Sequence, residues 1–232
     1  MTFIIAEIGV NWDGDFELVK KMMKKSKDAG CNAVKFQAFN QKILGNHPES
    51  KRLLKSAISD YNVERIDEIS KEIGIEWICT PMYVEAVDII EPYVQRYKIR
   101  TYDGKLLVNN RPSALFDRLV QTKKQVIVSS EETPKNSNLW KHPLIKWLYC
   151  VPKYPCELSD LSFSNFNDFQ GYSNHCTNFL APLYSVILGS EIVEIHVTDD
   201  KLKDYVDNAV SFNFKELHEL IENINNIKKI LI

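Results

Sequence analysis

The sequence predicts an α/β chain closed into a (β/α)8 barrel, and three observations carry that prediction. Short β-type runs alternate with helical patterns from one end to the other, the signature of parallel βα units rather than of a meander or a bundle. Eight such runs can be found, at residues 3–8, 33–38, 76–80, 95–99, 126–129, 145–151, 171–174 and 192–197. The length of 232 residues lies close to the roughly 250 of one TIM barrel, so a single domain over 1–232 is expected.

The first two runs are nearly continuous in apolar residues, as strands buried on both faces must be. Between them, Asp15 can cap the helix FELVKKMMKKSKDAG, which stops at Gly30, and Asn62 can cap VERIDEISKEIG, which stops at Gly74. Further helices are expected at 83–93, 113–122, 178–188 and 214–230. The connections after the fifth and sixth strands read differently. Segment 131–143 contains Pro134 and Pro143, and 158–169 is broken by Ser and Asn, so short or irregular helices are expected there.

Composition narrows the function classes. Lys+Arg of 29 against Asp+Glu of 31 leaves a net charge of -2, which provides no basic field for nucleic acid or an anionic membrane. Glu7 interrupts the N-terminal apolar run, and no basic leader precedes it. No window approaches the ~18 apolar residues of a membrane span. A cytoplasmic protein with small-molecule substrates is expected. The five cysteines are odd in number and lack the close pairing of a zinc site. Cys31, Cys79 and Cys150 sit in or beside apolar segments and read as core.

In an α/β barrel the chemistry sits at the C-terminal strand ends, and here every strand offers a polar residue. In strand order these are Glu7 with Asn11 in the following loop, Lys35 and Gln37, Thr80, Lys98, Ser129 and Ser130, Lys153 and Tyr154, Ser173 and His175, and Glu194 and His196. A lysine buried in apolar sequence needs an anion or loses its proton. Lys35 and Lys98 therefore point either to a bound phosphate or carboxylate, or to internal partners such as Glu7 and Glu194. His175 and His196 end consecutive strands, which lie about 4.8 Å apart, so both imidazoles could reach one divalent ion. His47, His142 and His218 fall in loop or helix-surface contexts.

These residues carry a family resemblance. IIAEIGVNWDGD followed by AGCNAVKFQAF resembles the first βαβ unit of the sialic acid synthases, and the likeness continues through CTPMY, YKI, VIVSS, YCVPKYP, GYSNH, VEIHVT and VDNAVS. It implies condensation of phosphoenolpyruvate with an N-acylated hexose, such as N-acetylmannosamine, to give a nonulosonic acid and phosphate. The metal would be held by His175 and His196, with Mn²⁺ expected and Mg²⁺, Co²⁺, Fe²⁺ or Zn²⁺ as alternatives. Lys35, Thr80, Lys98, Ser129 and Ser173 would surround phosphoenolpyruvate, with Asn11, Arg100 and Thr101 completing the substrate-binding set. Glu7, Gln37, Tyr154 and Glu194 would line the reacting centre, and Asp207 would hold a metal-bound water.

The chain departs from the family pattern at Trp12, Arg100, Glu131, Glu132, Pro152 and Asn208. Glu131 or Glu132 beside a phosphate would repel it. The family's small C-terminal antifreeze-like domain does not follow the eighth helix, so a homodimer or a separate polypeptide carrying that domain is an expected partner. Two other readings stay open: a catalytically degenerate barrel that binds a sugar or a partner, and a Schiff-base lyase using Lys35 or Lys98.

Overall fold

The computed structural model describes residues 2–231. Eight parallel strands, β1 (Phe3–Glu7), β2 (Ala33–Ala38), β3 (Glu76–Pro81), β4 (Arg96–Ile99), β5 (Gln125–Ser130), β6 (Ile145–Tyr149), β7 (Gly171–Asn174) and β8 (Ile192–Thr198), pair in sequence order, and β8 returns to β1 to close the cylinder. A two-residue strand, β9 (Phe212–Asn213), extends the pairing of β8 at Val197 and Thr198. The helices are α1 (Phe16–Ala29), α2 (Gln41–Leu44), α3 (Ser50–Leu53), α4 (Val63–Ile73), α5 (Val84–Ile90), α6 (Thr101–Val108), α7 (Ala114–Gln121), α8 (Leu180–Ile187) and α9 (Phe214–Ile230).

Asp15 caps α1 as expected, its carboxylate accepting from the Glu17 and Leu18 amides at 2.9 and 3.2 Å, and Gly30 ends the helix at φ 100°. Asn62 does not cap α4. Its side chain accepts from the Ser59 amide and donates to the Ala57 carbonyl, which ties the preceding turn instead. After β5 and β6 only single 3-10 turns form, at Pro134–Asn136, Leu158–Asp160 and Phe166–Asp168. An aromatic cluster covers the barrel there in place of a helix, with Tyr149 5.3 Å from Phe163 and 5.6 Å from Phe169 between ring centroids.

Side chains alternate inward and outward along each strand, and the inward set is stratified. Ile5, Ala33, Ile78, Ile127, Leu148 and Ile192 form a dry apolar layer across the middle of the cylinder. Below it, Arg96 bonds Glu76 at 2.6 Å and Gln125 at 3.1 Å and lies over the Phe3 ring. Above it, two residues further along each strand, stand the charged and polar groups. The larger apolar core lies outside the cylinder, between strands and helices.

Helix α6 was not legible in the sequence, and Gly104 is the reason. It rides so close over β5 that a Cβ there would collide with the Ser129 carbonyl oxygen, so a poor helix former occupies mid-helix because nothing larger fits. Gly104→Ala is expected to cost about 3 kcal/mol by overpacking, measured by urea unfolding. An effect below about 0.5 kcal/mol would mean that α6 moves aside freely.

Candidate active site

The ends of the strands bring the predicted residues into one cavity of about 400 Å³, lined by Glu7, Lys35, Gln37, Thr80, Lys98, Arg100, Thr101, Ser129, Tyr154, Ser173, His175, Glu194 and His196, with Met82 and Cys150 beside them. The strand register explains the convergence. Glu7 stands opposite Lys35 on one side and His196 on the other, and Ser173 stands opposite Glu194.

Ion pairing runs through this layer without a break. Lys35 Nζ lies 3.1 Å from Glu7 Oε1 and 3.5 Å from Glu194 Oε1, and Lys98 Nζ lies 3.5 Å from the same Glu194 oxygen. Lys98 donates to Ser129 Oγ at 2.7 Å, Ser173 donates to Glu194 at 2.8 Å, and Gln37 donates to Glu7 Oε1 at 2.7 Å. The internal carboxylates expected as one possible answer for the lysines are therefore present. They are incompletely used, because Glu7 Oε2 and Glu194 Oε2 are buried with no hydrogen-bond partner. A buried polar atom without a partner is costly, so these oxygens mark where a ligand or water would bond.

The four groups differ in their hold on protons. Burial raises Glu7 above its ordinary range, against the pull of Lys35. Burial would raise Glu194 as well, but Lys35 and Lys98 together hold it below its ordinary range. Burial would lower Lys35, yet the two glutamates keep it raised; Lys98 has less carboxylate around it and is lowered by burial. The layer thus binds a proton readily at Glu7, which leaves the two ammonium groups less than fully neutralised.

At the rim, His175 Nδ1 lies 2.7 Å from the Val151 carbonyl oxygen, which can only accept, so Nδ1 carries the proton and Nε2 presents its lone pair. The Tyr154 hydroxyl donates to that Nε2 at 2.8 Å. The His175 and His196 ring centroids are 5.3 Å apart. His196 Nδ1 is buried without a hydrogen bond, 3.8 Å from Asp207 Oδ2. Burial, followed by the nearby charges of His175 and Lys35, keeps His196 well below its ordinary range and hence neutral. His196 is thus a neutral imidazole, whereas burial would weaken the hold of His175 on a proton but Cys150 and the Val151 carbonyl raise it; the pair fits one divalent ion, which would displace the Tyr154 hydroxyl from Nε2. Among the described residues no cluster of three or more His, Cys, Asp or Glu side chains is arranged to hold a metal, so such an ion would take its other ligands from water and substrate.

Several expected residues lie elsewhere. Asn11 does not line the cavity. Its amide donates to the Val197 carbonyl and Ser211, and its oxygen accepts from the Asp207 amide, so it clamps the loop that carries Asp207. Lys153 is exposed and paired with Asp160 at 2.7 Å, and Ser130 donates to the Glu132 carbonyl. Asp207 borders an outer chamber above the cavity. Glu131 and Glu132 are exposed outside the cavity, with Glu132 3.3 Å from Lys105, so the expected repulsion of a phosphate does not arise from their positions. Met82 and Cys150 were missed; Cys150 Sγ lies 3.7 Å from His175 Nδ1, and only its place two residues after the inward Leu148 could have signalled it.

Comparison with known proteins bears on the family and the fold. The chain is 31% identical to an uncharacterised protein of Methanocaldococcus jannaschii, over 99% of this chain and 72% of that one. It is 27% identical to an N,N'-diacetyllegionaminic acid synthase of Legionella pneumophila, over 99% and 73% respectively. Among solved structures, an N-acetylneuraminic acid synthetase of Leptospira borgpetersenii superposes with a TM-score of 0.86 at 28% identity, covering 99% of this chain and 85% of that one. No helix among the described residues is long and apolar enough to cross a membrane. The model of the NeuB family matches residues 22–232, from the middle of α1 through all the later strand ends that build the cavity, and the chain belongs to that family.

Proposed function

We propose that this protein condenses phosphoenolpyruvate with an N-acylated hexose to give a nonulosonic acid and inorganic phosphate. The observation that carries the reading is one cavity faced by a layer of two lysines and two glutamates, with two histidines at its rim. In the overall reaction, C3 of phosphoenolpyruvate bonds to the aldehyde carbon of the sugar and water adds to C2. The bond between C2 and the bridging oxygen then breaks, so that phosphate leaves with that oxygen; the new C2 hydroxyl gives up its proton to leave a 2-oxo acid, and the former aldehyde oxygen ends as a hydroxyl.

Lys35 and Lys98, with Ser129, Ser173 and Thr80 around them, would bind the carboxylate and phosphate. Cations fixed in a dry pocket stabilise such charge better than water does. Arg100 and Thr101 border the same cavity and would add donors. Glu7, steadied by Gln37, would hold or release a proton near the reacting carbons. Glu194 would orient the lysines and Tyr154 would position His175. A divalent ion held by His175 and His196 would supply Lewis acidity toward the sugar aldehyde, with Mn²⁺ the first choice to test. Asp207, beside His196, would orient a water there.

The test is phosphate release from purified protein with Mn²⁺. Release is expected only when phosphoenolpyruvate and an acylated hexosamine are both present, and it should stop on chelation. If no hexosamine elicits phosphate from metal-loaded protein that binds phosphoenolpyruvate, the synthase reading fails.

A further inference from the structure

Cys150, Cys156 and Cys176 gather near His175, but they do not share one environment. Cys150 faces the charged cavity, with its Sγ 3.7 Å from His175 Nδ1. Cys156 and Cys176 belong instead to the apolar core outside the cylinder. The fold pairs these two directly. Beyond the ends of β6 and β7 the two chain segments meet once more, in an isolated parallel bridge that sets Cys156 opposite Cys176, with the Cys156 amide donating to the His175 carbonyl at 3.0 Å.

Neighbouring parallel strands lie about 4.8 Å apart, and directly paired residues project to the same face. A disulfide spans Cα separations of about 4.4–6.8 Å, so the backbone already stands at bridging distance while both thiols are free. Access comes from outside the barrel. Cys176 lines a surface pocket of about 820 Å³ together with Glu157, Leu158, Ser159, Thr177 and Asn178, which lets a small oxidant approach without crossing the charged layer. The pair also brackets β7 and the connection before it, which holds only 3-10 turns. A cross-link there closes a loop of roughly 20 residues, which removes entropy from the unfolded chain and leaves the folded backbone where it stands.

We propose that Cys156 and Cys176 are an oxidative modification site, forming an intrachain disulfide with hydrogen peroxide that staples the segment following Tyr154 to the strand end carrying His175. The Cys176 sulfur attacks one peroxide oxygen and the O–O bond breaks, giving a sulfenic acid and water. The Cys156 sulfur then attacks the sulfenic sulfur, the S–O bond breaks, and the S–S bond forms as a second water leaves. Two thiols thereby lose two electrons and two protons, and one peroxide becomes two waters. Burial, and then the neighbouring Cys176, push the Cys156 thiol up to about 12, and burial raises Cys176 as well. The reaction is therefore slow at neutral pH, and its product is a lasting staple rather than a rapid sensor.

Peptide mapping of the full chain tests this without turnover. Native protein is exposed to hydrogen peroxide, quenched with catalase, denatured with N-ethylmaleimide present and digested without reduction. Trypsin and an Asp-directed protease together cut at Lys153, Asp160 and Asp168, which puts Cys150, Cys156 and Cys176 on separate peptides. A cross-link joining Cys156 to Cys176 is expected, with Cys31, Cys79 and Cys150 alkylated. The melting temperature should rise by at least about 5 °C and return to its starting value with dithiothreitol. Cys156→Ala and Cys176→Ala should each abolish both the cross-link and the rise; because the mapping is done on the parent, it decides the matter even where a variant folds poorly. Full alkylation of all the cysteines, a sulfinic acid at either position without a cross-link, or a bridge from Cys150 to either partner overturns the site. A cross-link with no rise in melting temperature overturns the staple.

Discussion

Lys35→Met is expected to destabilise the protein by about 3–5 kcal/mol at neutral pH, the usual cost of leaving a buried charge without its partner. Lys35 is the cation between Glu7 and Glu194, and all three side chains are buried. Methionine fills a similar volume, so the loss is electrostatic rather than a cavity. Its signature is a pH dependence with a definite sign. Without Lys35 both carboxylates titrate higher in the folded state, Glu7 already lying above its ordinary 4.5 in the parent. The folded variant then holds more protons than its unfolded chain at any pH between 4.5 and the new folded values, so its stability falls as pH rises through that window. In the parent the opposite holds for Glu194, whose depressed value supplies stability that disappears as pH falls. The deficit of the variant should therefore be complete above neutrality and shrink as pH falls, disappearing only near the depressed value of Glu194, about 2. Urea unfolding at both ends decides the matter; an equal deficit at each pH would assign Lys35 a packing role only.

His175→Ala is expected to reduce phosphate release by at least about 10³-fold, equivalent to about 4 kcal/mol of transition-state stabilisation. The imidazole is fixed by the Val151 carbonyl on one nitrogen and reached by Tyr154 on the other, so its removal takes away an oriented lone pair that no neighbour replaces. Manganese affinity, read by electron paramagnetic resonance, should fall in parallel. Tyr154→Phe keeps the imidazole and should have a smaller effect on metal affinity than on turnover. Unchanged manganese binding in His175→Ala would remove His175 from the ligand set and leave the site without its proposed pair.

The cylinder and its rim were legible because both follow from local rules. A strand buried on two faces reads as an apolar run, and a polar residue that ends it lies at the mouth. This is why Lys35, Lys98, His175 and His196 stand out in the sequence itself. What escaped depends on partners distant in sequence. Gly104 forbids a helix locally and requires one globally, because the Ser129 carbonyl lies against it. Asn11 has the look of a substrate ligand, yet its amide is taken up by Val197 and Ser211, nearly the whole chain away. The outer chamber was invisible for a related reason: Ile43 and Leu44 stand in a stretch with little periodicity, and only folding brings them beside Met82.

The apolar layer of Ile5, Ile78, Ile127, Leu148 and their neighbours makes the cylinder a cul-de-sac. Nothing can drain through the far end, so whatever settles on the floor must leave by the way it came. A small anion lodged beside Lys98 would be imprisoned for as long as a bulkier molecule occupies the vestibule overhead, and the dwell time of the first would be governed by the departure of the second.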